Sequence, residues 1–159
     1  MSGAYSTLEL IHVLSAAILF GTGLGTAFAM WRGDKSGDAR VVAAVARAAV
    51  LADWVFTTPA VIIQPATGLA LMKLLGYPLT TPWIVASIIL YVMVGACWIP
   101  VVWLQYRMRD LAQSASSSGL SLPPQYRSYY RLWFALGWPA FSGVIAVFWL
   151  MVFKPSLWN

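Results

Sequence analysis

The stretch LIHVLSAAILFGTGLGTAFAMW, residues 10–31, contains no charged side chain and no proline. Crossing the hydrocarbon of a bilayer takes about 20 apolar helical residues, and this run supplies them. Three further uncharged runs follow, at Trp54 to Met72, Leu74 to Tyr106 and Leu132 to Phe153. None alternates polar with apolar residues, as a lipid-facing strand would, and open strands cannot satisfy their backbone in lipid. A chain that is 60% hydrophobic and 9% charged is no ordinary soluble domain. The expected fold is all-α: a polytopic membrane protein with a four-transmembrane-helix antiparallel bundle. At 159 residues it makes one domain.

The net charge of +5 resembles a nucleic-acid signal until its distribution is read. Arg32, Lys35, Arg40 and Arg47 fall between the first two spans, and Arg107, Arg109, Arg127 and Arg131 between the last two. Only Lys73 and Lys154 lie on the other side. That asymmetry is the positive-inside pattern, which places both basic loops in the cytoplasm and both termini outside. The expected partner is the lipid bilayer, not nucleic acid. Cys97 is the only cysteine, so an intrachain disulfide is excluded. Ala27-Phe28-Ala29 imitates a signal-peptidase site, but Glu9 opens the apolar run and the basic cluster follows it, so span one reads as retained.

The spans are expected at about 7–31, 50–73, 83–106 and 132–153, with cytoplasmic loops 32–49 and 107–131. Asp38 is a candidate helix N-cap, and Val41 to Ala49 suit a surface-lying or protruding start to helix two. Pro59 and Pro65 should kink that helix. The serine-rich second loop, with Pro123 and Pro124, reads as mobile.

Helical projection groups the few polar residues of each span on one face. These faces are His12, Ser15, Thr22 and Thr26; Asp53, Thr57, Gln64 and Thr67; Ser87, Tyr91, Gly95, Trp98 and Gln105; and Arg131, Trp138, Ser142 and Trp149. Polar groups in lipid seek one another, so the faces should point inward. By depth, His12 should share an outer layer with Thr67, Ser87 and Trp149, with Gln64 one turn deeper. Thr26, Asp53, Gln105 and Arg131 should meet near the inner surface, and a structural Asp53–Arg131 ion pair is expected because an unpaired carboxylate there is costly. Gly21 and Gly25 form a small-xxx-small surface for helix packing, within the bundle or, failing that, across a homodimer.

His12 is the one histidine, and it lies at membrane depth. One reading makes it an axial ligand to haem iron, with Gln64, Tyr91 and Trp149 lining the pocket. The other is a neutral ring hydrogen-bonded to Glu9, Ser15 or Gln64. A zinc or copper site lacks a second histidine.

The segments LELIHVLSAAILFGTGLGTAFAM, ADWVFTTPAVIIQPATGLAL, ACWIPVVWLQYRMR and RLWFALGWPAF…MVFKP resemble a bacterial family of predicted integral membrane proteins, the domain of unknown function 2269. More distantly the chain resembles HemJ-type protoporphyrinogen oxidases and CopD-like copper-resistance proteins. The HemJ resemblance implies four spans, bound haem b, a first-span histidine where His12 falls, and a terminal Lys-Pro like Lys154-Pro155. The chain departs from that pattern at Trp83-Ile84-Val85-Ala86-Ser87, where a histidine–lysine motif is expected, and at Leu136-Gly137-Trp138-Pro139, which replaces Asn-Glu-x-Pro. Both departures count against porphyrinogen oxidation.

The resulting expectation is a bacterial inner-membrane protein binding b-type haem through His12 in a redox or porphyrin-related role; an enzymatic version would be a haem-dependent membrane oxidoreductase. The alternatives are a non-enzymatic accessory subunit of a larger membrane complex and a small metal or anion permease.

Overall fold

The computed structural model describes residues 2–158, and every regular element among them is helical. Helix α1 spans Ser2–Ser36 and α2 spans Ala39–Ala52. A single π-helical turn, Asp53–Thr57, joins α2 without a break to α3, Thr58–Leu74. Helix α4 spans Pro82–Ser117 and α5 spans Pro124–Phe153. Taking α2, the π turn and α3 as one unit, the described residues hold four helices long and apolar enough to cross a membrane.

These helices pack in a ring. The α2–α3 unit lies between α1 and α4, α5 packs on α4, and a thin contact between α5 and α1 closes the circuit. Up-down-up-down connectivity with short links gives this arrangement directly. At the end carrying both chain termini the ring is loose, because α3 makes little contact with α4 and α1 makes little with α5. The pairs α1–α3 and α4–α5 are each intact there. On α5, a Cβ added at Gly143 would lie 2.6 Å from Val94 Cγ2, so α4 approaches the bare backbone.

The best-buried part of the molecule is the opposite, basic end. Met30, Val42, Ala43, Ala46, Ala49, Leu104, Met108, Ala112, Tyr126 and Trp133 form one cluster there. Along the membrane portion, Leu10, Val13, Ile62, Ile89, Val92 and Val152 stay exposed. The contrast has a physical cause. Water drives apolar side chains together, whereas lipid tails reward them as well outside a bundle as inside it. At about 1.5 Å per residue, the 35 residues of α1 reach roughly 50 Å, against about 30 Å of hydrocarbon. The surplus length is the basic end, a small water-facing helical head with its own core.

That head changes the expectation for the loops. Residues 107–131 are not a mobile loop: α4 continues to Ser117 and α5 begins at Pro124, leaving only residues 118–123 outside helices. Met108, Ala112 and Ala115 recur at helical spacing and are buried, which extends α4 beyond the bilayer. Gly119, at φ +66, ends it in the left-handed conformation. In residues 32–49, α1 runs on to Ser36 and α2 starts at Ala39, with the Asp38 carboxylate capping Arg40 N at 2.8 Å as expected. The buried face of α2 is alanine-rich, which lets α4 close in.

Gly21 and Gly25 do not pack within the bundle. A Cβ at either position would meet nothing within 4 Å. The helix-one face that touches α3 is set by the His12 stripe, so the glycines turn outward.

Candidate functional site

Two polar clusters occupy the membrane portion. The first joins α1 to α3. His12 Nδ1 lies 2.9 Å from Thr67 Oγ1, and His12 Nε2 lies 3.1 Å from Gln64 Nε2. An amide nitrogen only donates, so Nε2 of the ring accepts and Nδ1–H donates to Thr67. The Thr67 hydroxyl passes its own proton to the Ile63 carbonyl at 2.8 Å. The Ser15 hydroxyl stands between the His12 carbonyl and Gln64 Oε1, donating to the latter. Every polar atom of the imidazole is therefore satisfied by α3. Gly68 completes the seat: a Cβ there would come within 3.1 Å of His12 Cε1, so the ring lies against bare backbone. Sequence projection found His12, Ser15, Gln64 and Thr67. It missed Gly68, whose only signal was a small residue one position beyond Thr67.

The other expected members of the outer layer go elsewhere. Ser87 is buried but bonds its own helix at the Trp83 carbonyl, 2.7 Å away. Trp149 is half exposed and stacks on Phe153. The Tyr91 hydroxyl donates to the Val61 carbonyl of α3, for a reason set by sequence. An α-helix would fill that carbonyl from residue 65, and Pro65 has no N–H. Tyr91 thus repairs the bond that Pro65 removes and ties α4 to α3. Tyr91→Phe is expected to cost about 1–3 kcal/mol by leaving a carbonyl orphaned in lipid. A thermal unfolding midpoint unchanged in detergent would contradict this.

Haem iron needs a free imidazole lone pair and a slot for the macrocycle beside it. Here Nε2 already accepts from Gln64, Nδ1 is spent on Thr67, and Gly68 meets the ring between them. Both nitrogens face α3 rather than the gap between helix pairs. Of the other expected pocket residues, the Tyr91 hydroxyl is committed to Val61, and Trp149 is half exposed and packs on Phe153. In this arrangement the residues do not fit a haem, and the alternative reading, a ring hydrogen-bonded to Gln64, matches the geometry. Among the described residues no group of three His, Cys, Asp or Glu is placed to hold a metal ion.

The second cluster lies nearer the basic end, where the π turn begins. Asp53 is only 6% exposed. Its Oδ1 accepts from Thr57 Oγ1 at 2.9 Å, Gln105 of α4 stands beside the carboxyl, and Oδ2 has no partner. The expected Asp53–Arg131 ion pair is absent: Arg131 is exposed, and the ion pairs among the described residues are Arg40–Asp38 and Arg109–Asp110. Helix α5 stands diagonally across the ring from the α2–α3 unit, and Arg131 stays exposed rather than meeting Asp53.

Why Asp53 sits in a π turn is legible once Pro59 is considered. Pro59 cannot donate to the carbonyl of Val55. The helix absorbs this by shifting register, so that Thr58 N–H reaches back to the Asp53 carbonyl, one residue farther than in an α-helix. Such π turns insert an extra residue and re-aim its neighbours, often at functional sites.

A protein-family model described as "Predicted integral membrane protein (DUF2269)" matches residues 6–155. No curated protein and no solved structure matches the chain.

Proposed function

This chain belongs to the DUF2269 family of predicted integral membrane proteins, and we propose that it is a small permease for a cationic solute, with Asp53 as the binding charge. The observation that carries the reading is the Asp53 carboxylate itself, deeply buried within a membrane-spanning helix and lacking any cationic partner. An ionisable group at such a position is expensive, and its common justification is a solute or ion pathway. A carboxylate repels anions, which argues against an anion as cargo.

Two further features support the reading. Asp53, Thr57, Gln64 and Thr67 follow one another along the α2–α3 unit, and over 14 residues they cover roughly 21 Å of the bilayer. Tyr91 and the Val61 carbonyl fall between the two halves of this polar line. At the terminal end, the thin contact between the α1–α3 and α4–α5 pairs leaves the ring able to part. Alternating access in small transporters works by rocking one helix bundle against another around a fixed site.

The test is proteoliposomes containing this protein alone, with an inside-negative potential imposed and read by a potential-sensitive dye. Added sodium, potassium or tetramethylammonium should collapse the potential in wild type for at least one of the three. Asp53→Asn should slow that collapse about tenfold or more. Potential maintained equally in wild type, variant and empty vesicles would overturn the permease reading. A Soret band in purified protein that disappears in His12→Ala would instead restore the haem reading.

A further inference from the structure

Helices α2 and α4 pack closely, whereas α3 makes little contact with α4. The two walls therefore part with distance from the basic end, and a cavity of about 190 Å³ lies where they separate. Val50, Trp54 and Thr58 line it on one side, and Trp98, Val102 and Tyr106 on the other. Asp53 also borders the space, but its Oδ1 is bonded to Thr57 and its Oδ2 is sealed within the protein. Trp54 Nε1–H donates to the Tyr106 hydroxyl, so the polar atoms of those two rings meet each other. What remains is an apolar recess. Trp54 is largely exposed, so the recess borders lipid rather than the axis of the bundle.

Toward the basic end each wall continues into an arginine. Arg47 stands one turn beyond Val50 on α2, and Arg109 one turn beyond Tyr106 on α4. Arg47 is exposed and has no ion pair among the described residues. The Arg109 guanidinium lies 4.7 Å from the centre of the Tyr106 ring and bonds Asp110 Oδ1 through Nε and Nη2. Three of its five N–H donors stay free. Arg107 lies over the Trp103 ring and Arg32 over the Trp31 ring in the same manner. Arginines folded onto tryptophan and tyrosine rings mark the boundary between hydrocarbon and water. From Trp98, at the floor of the recess, to Arg109 is 11 residues of α4, or roughly 16 Å along the helix. One leaflet of hydrocarbon is about 15 Å deep.

We propose that this groove is a binding site for one anionic phospholipid of the leaflet at the basic end, with an acyl chain in the recess and the headgroup phosphate between Arg47 and Arg109. Lipid tails fill an apolar gap between membrane helices readily, whereas water or a polar solute would leave its hydrogen bonds unmade there. Guanidinium groups bind phosphate through paired N–H donors, and basic pockets between membrane helices hold acidic headgroups. Charge selects an anionic lipid over a zwitterionic one. Eight Lys and Arg at this end face only Asp34, Asp38 and Asp110 outside the membrane portion. Helix α2 carries no acidic residue to hold a headgroup ammonium beside Arg47, and Asp110 is taken up by Arg109. The site is separate from the Asp53 carboxyl and does not depend on transport.

The experiment equilibrates the intact protein in nanodiscs holding equal phosphatidylglycerol and phosphatidylcholine with matched acyl chains. The protein is then released into detergent and weighed with its retained lipid by native mass spectrometry. Wild type should retain one phosphatidylglycerol at about tenfold or greater preference over phosphatidylcholine. Arg47→Gln and Arg109→Gln should each lower that preference about three- to fivefold, the contribution of one basic residue beside an anionic headgroup. Arg127→Gln combined with Arg131→Gln removes as much charge elsewhere on the same end, and should leave the preference within about twofold. Val102→Trp, which fills the recess and keeps every charge, should lower retention of phosphatidylglycerol several-fold. Equal retention of the two lipids by wild type would overturn the proposal, and that comparison stands even if a variant fails to fold. So would a loss in the Arg127, Arg131 pair as large as in Arg47→Gln with Arg109→Gln, because the attraction would then be diffuse. Full retention in Val102→Trp would overturn it as well, by placing the tail outside the recess.

Discussion

Tyr126→Ala is expected to destabilise the protein by about 3–5 kcal/mol, the range for removing a large buried aromatic side chain. Tyr126 is fully buried, at the centre of the water-facing head, where α5 begins against α1, α2 and α4. Its ring stacks on Tyr130, which continues the aromatic column to Trp133 and Phe134. Removing it opens a void that rigid helices cannot close. The hydroxyl tells the opposite story, because it has no hydrogen-bond partner. An unsatisfied buried hydroxyl costs about 1–3 kcal/mol, so Tyr126→Phe should leave stability unchanged or raise it. Thermal unfolding of the two variants in one detergent measures both effects. A Tyr126→Phe midpoint several degrees below wild type would mean that the hydroxyl meets a buried water or a partner subunit.

The contrast between water and lipid also explains how much of the fold was legible in the sequence. Four uncharged runs of spanning length mark the bilayer unmistakably. The outer halves of the polar faces of helices one and two, His12 with Ser15 and Gln64 with Thr67, lock onto each other as projected, whereas Thr26 bonds its own helix instead of meeting Asp53. The α2 part of the head was legible, through the Asp38 cap and the helix-friendly run after it; the α4–α5 part was illegible for a physical reason. A helix that leaves the membrane acquires charges, serines and small residues, and these look like a loop to any reading that equates apolar with ordered. The Met108, Ala112, Ala115 periodicity in α4 was present but short, and it lay next to a serine-rich segment.

The Asp53 region failed in a more instructive way. Residue type and depth correctly marked Asp53 as needing company, and Gln105 was rightly placed at its level. Depth alone does not fix which helices adjoin, and the pairing with Arg131 presumed a neighbour that the ring places diagonally. Nor can a helical projection foresee a π turn, because every residue beyond it rotates relative to the projection. Pro59 was the available warning. Its missing N–H reads in the sequence as a kink, whereas the chain absorbs it as a shift in register.

His12→Leu is expected to cost about 2–3 kcal/mol, and its meaning depends on a second substitution. Removing the ring strands the Gln64 amide donor, which then has no acceptor in a region without water; the lost bond and the orphaned group together give that figure. Gln64→Leu should do comparable harm by stranding His12 Nε2, while the Ser15 hydroxyl keeps the His12 carbonyl. With both replaced by leucine the contact becomes apolar on both sides, and the double variant should recover about 1–2 kcal/mol relative to the sum. Strict additivity in unfolding midpoints would mean that the two side chains act independently, and the α1–α3 clasp would be lost as an explanation. The double variant also separates anchoring from passage. Mended packing with an uninterrupted cation current would show that the polar line along α3 is only structural. Restored stability with abolished current would mean that the same hydrogen bonds that hold α1 to α3 also line the route toward Asp53.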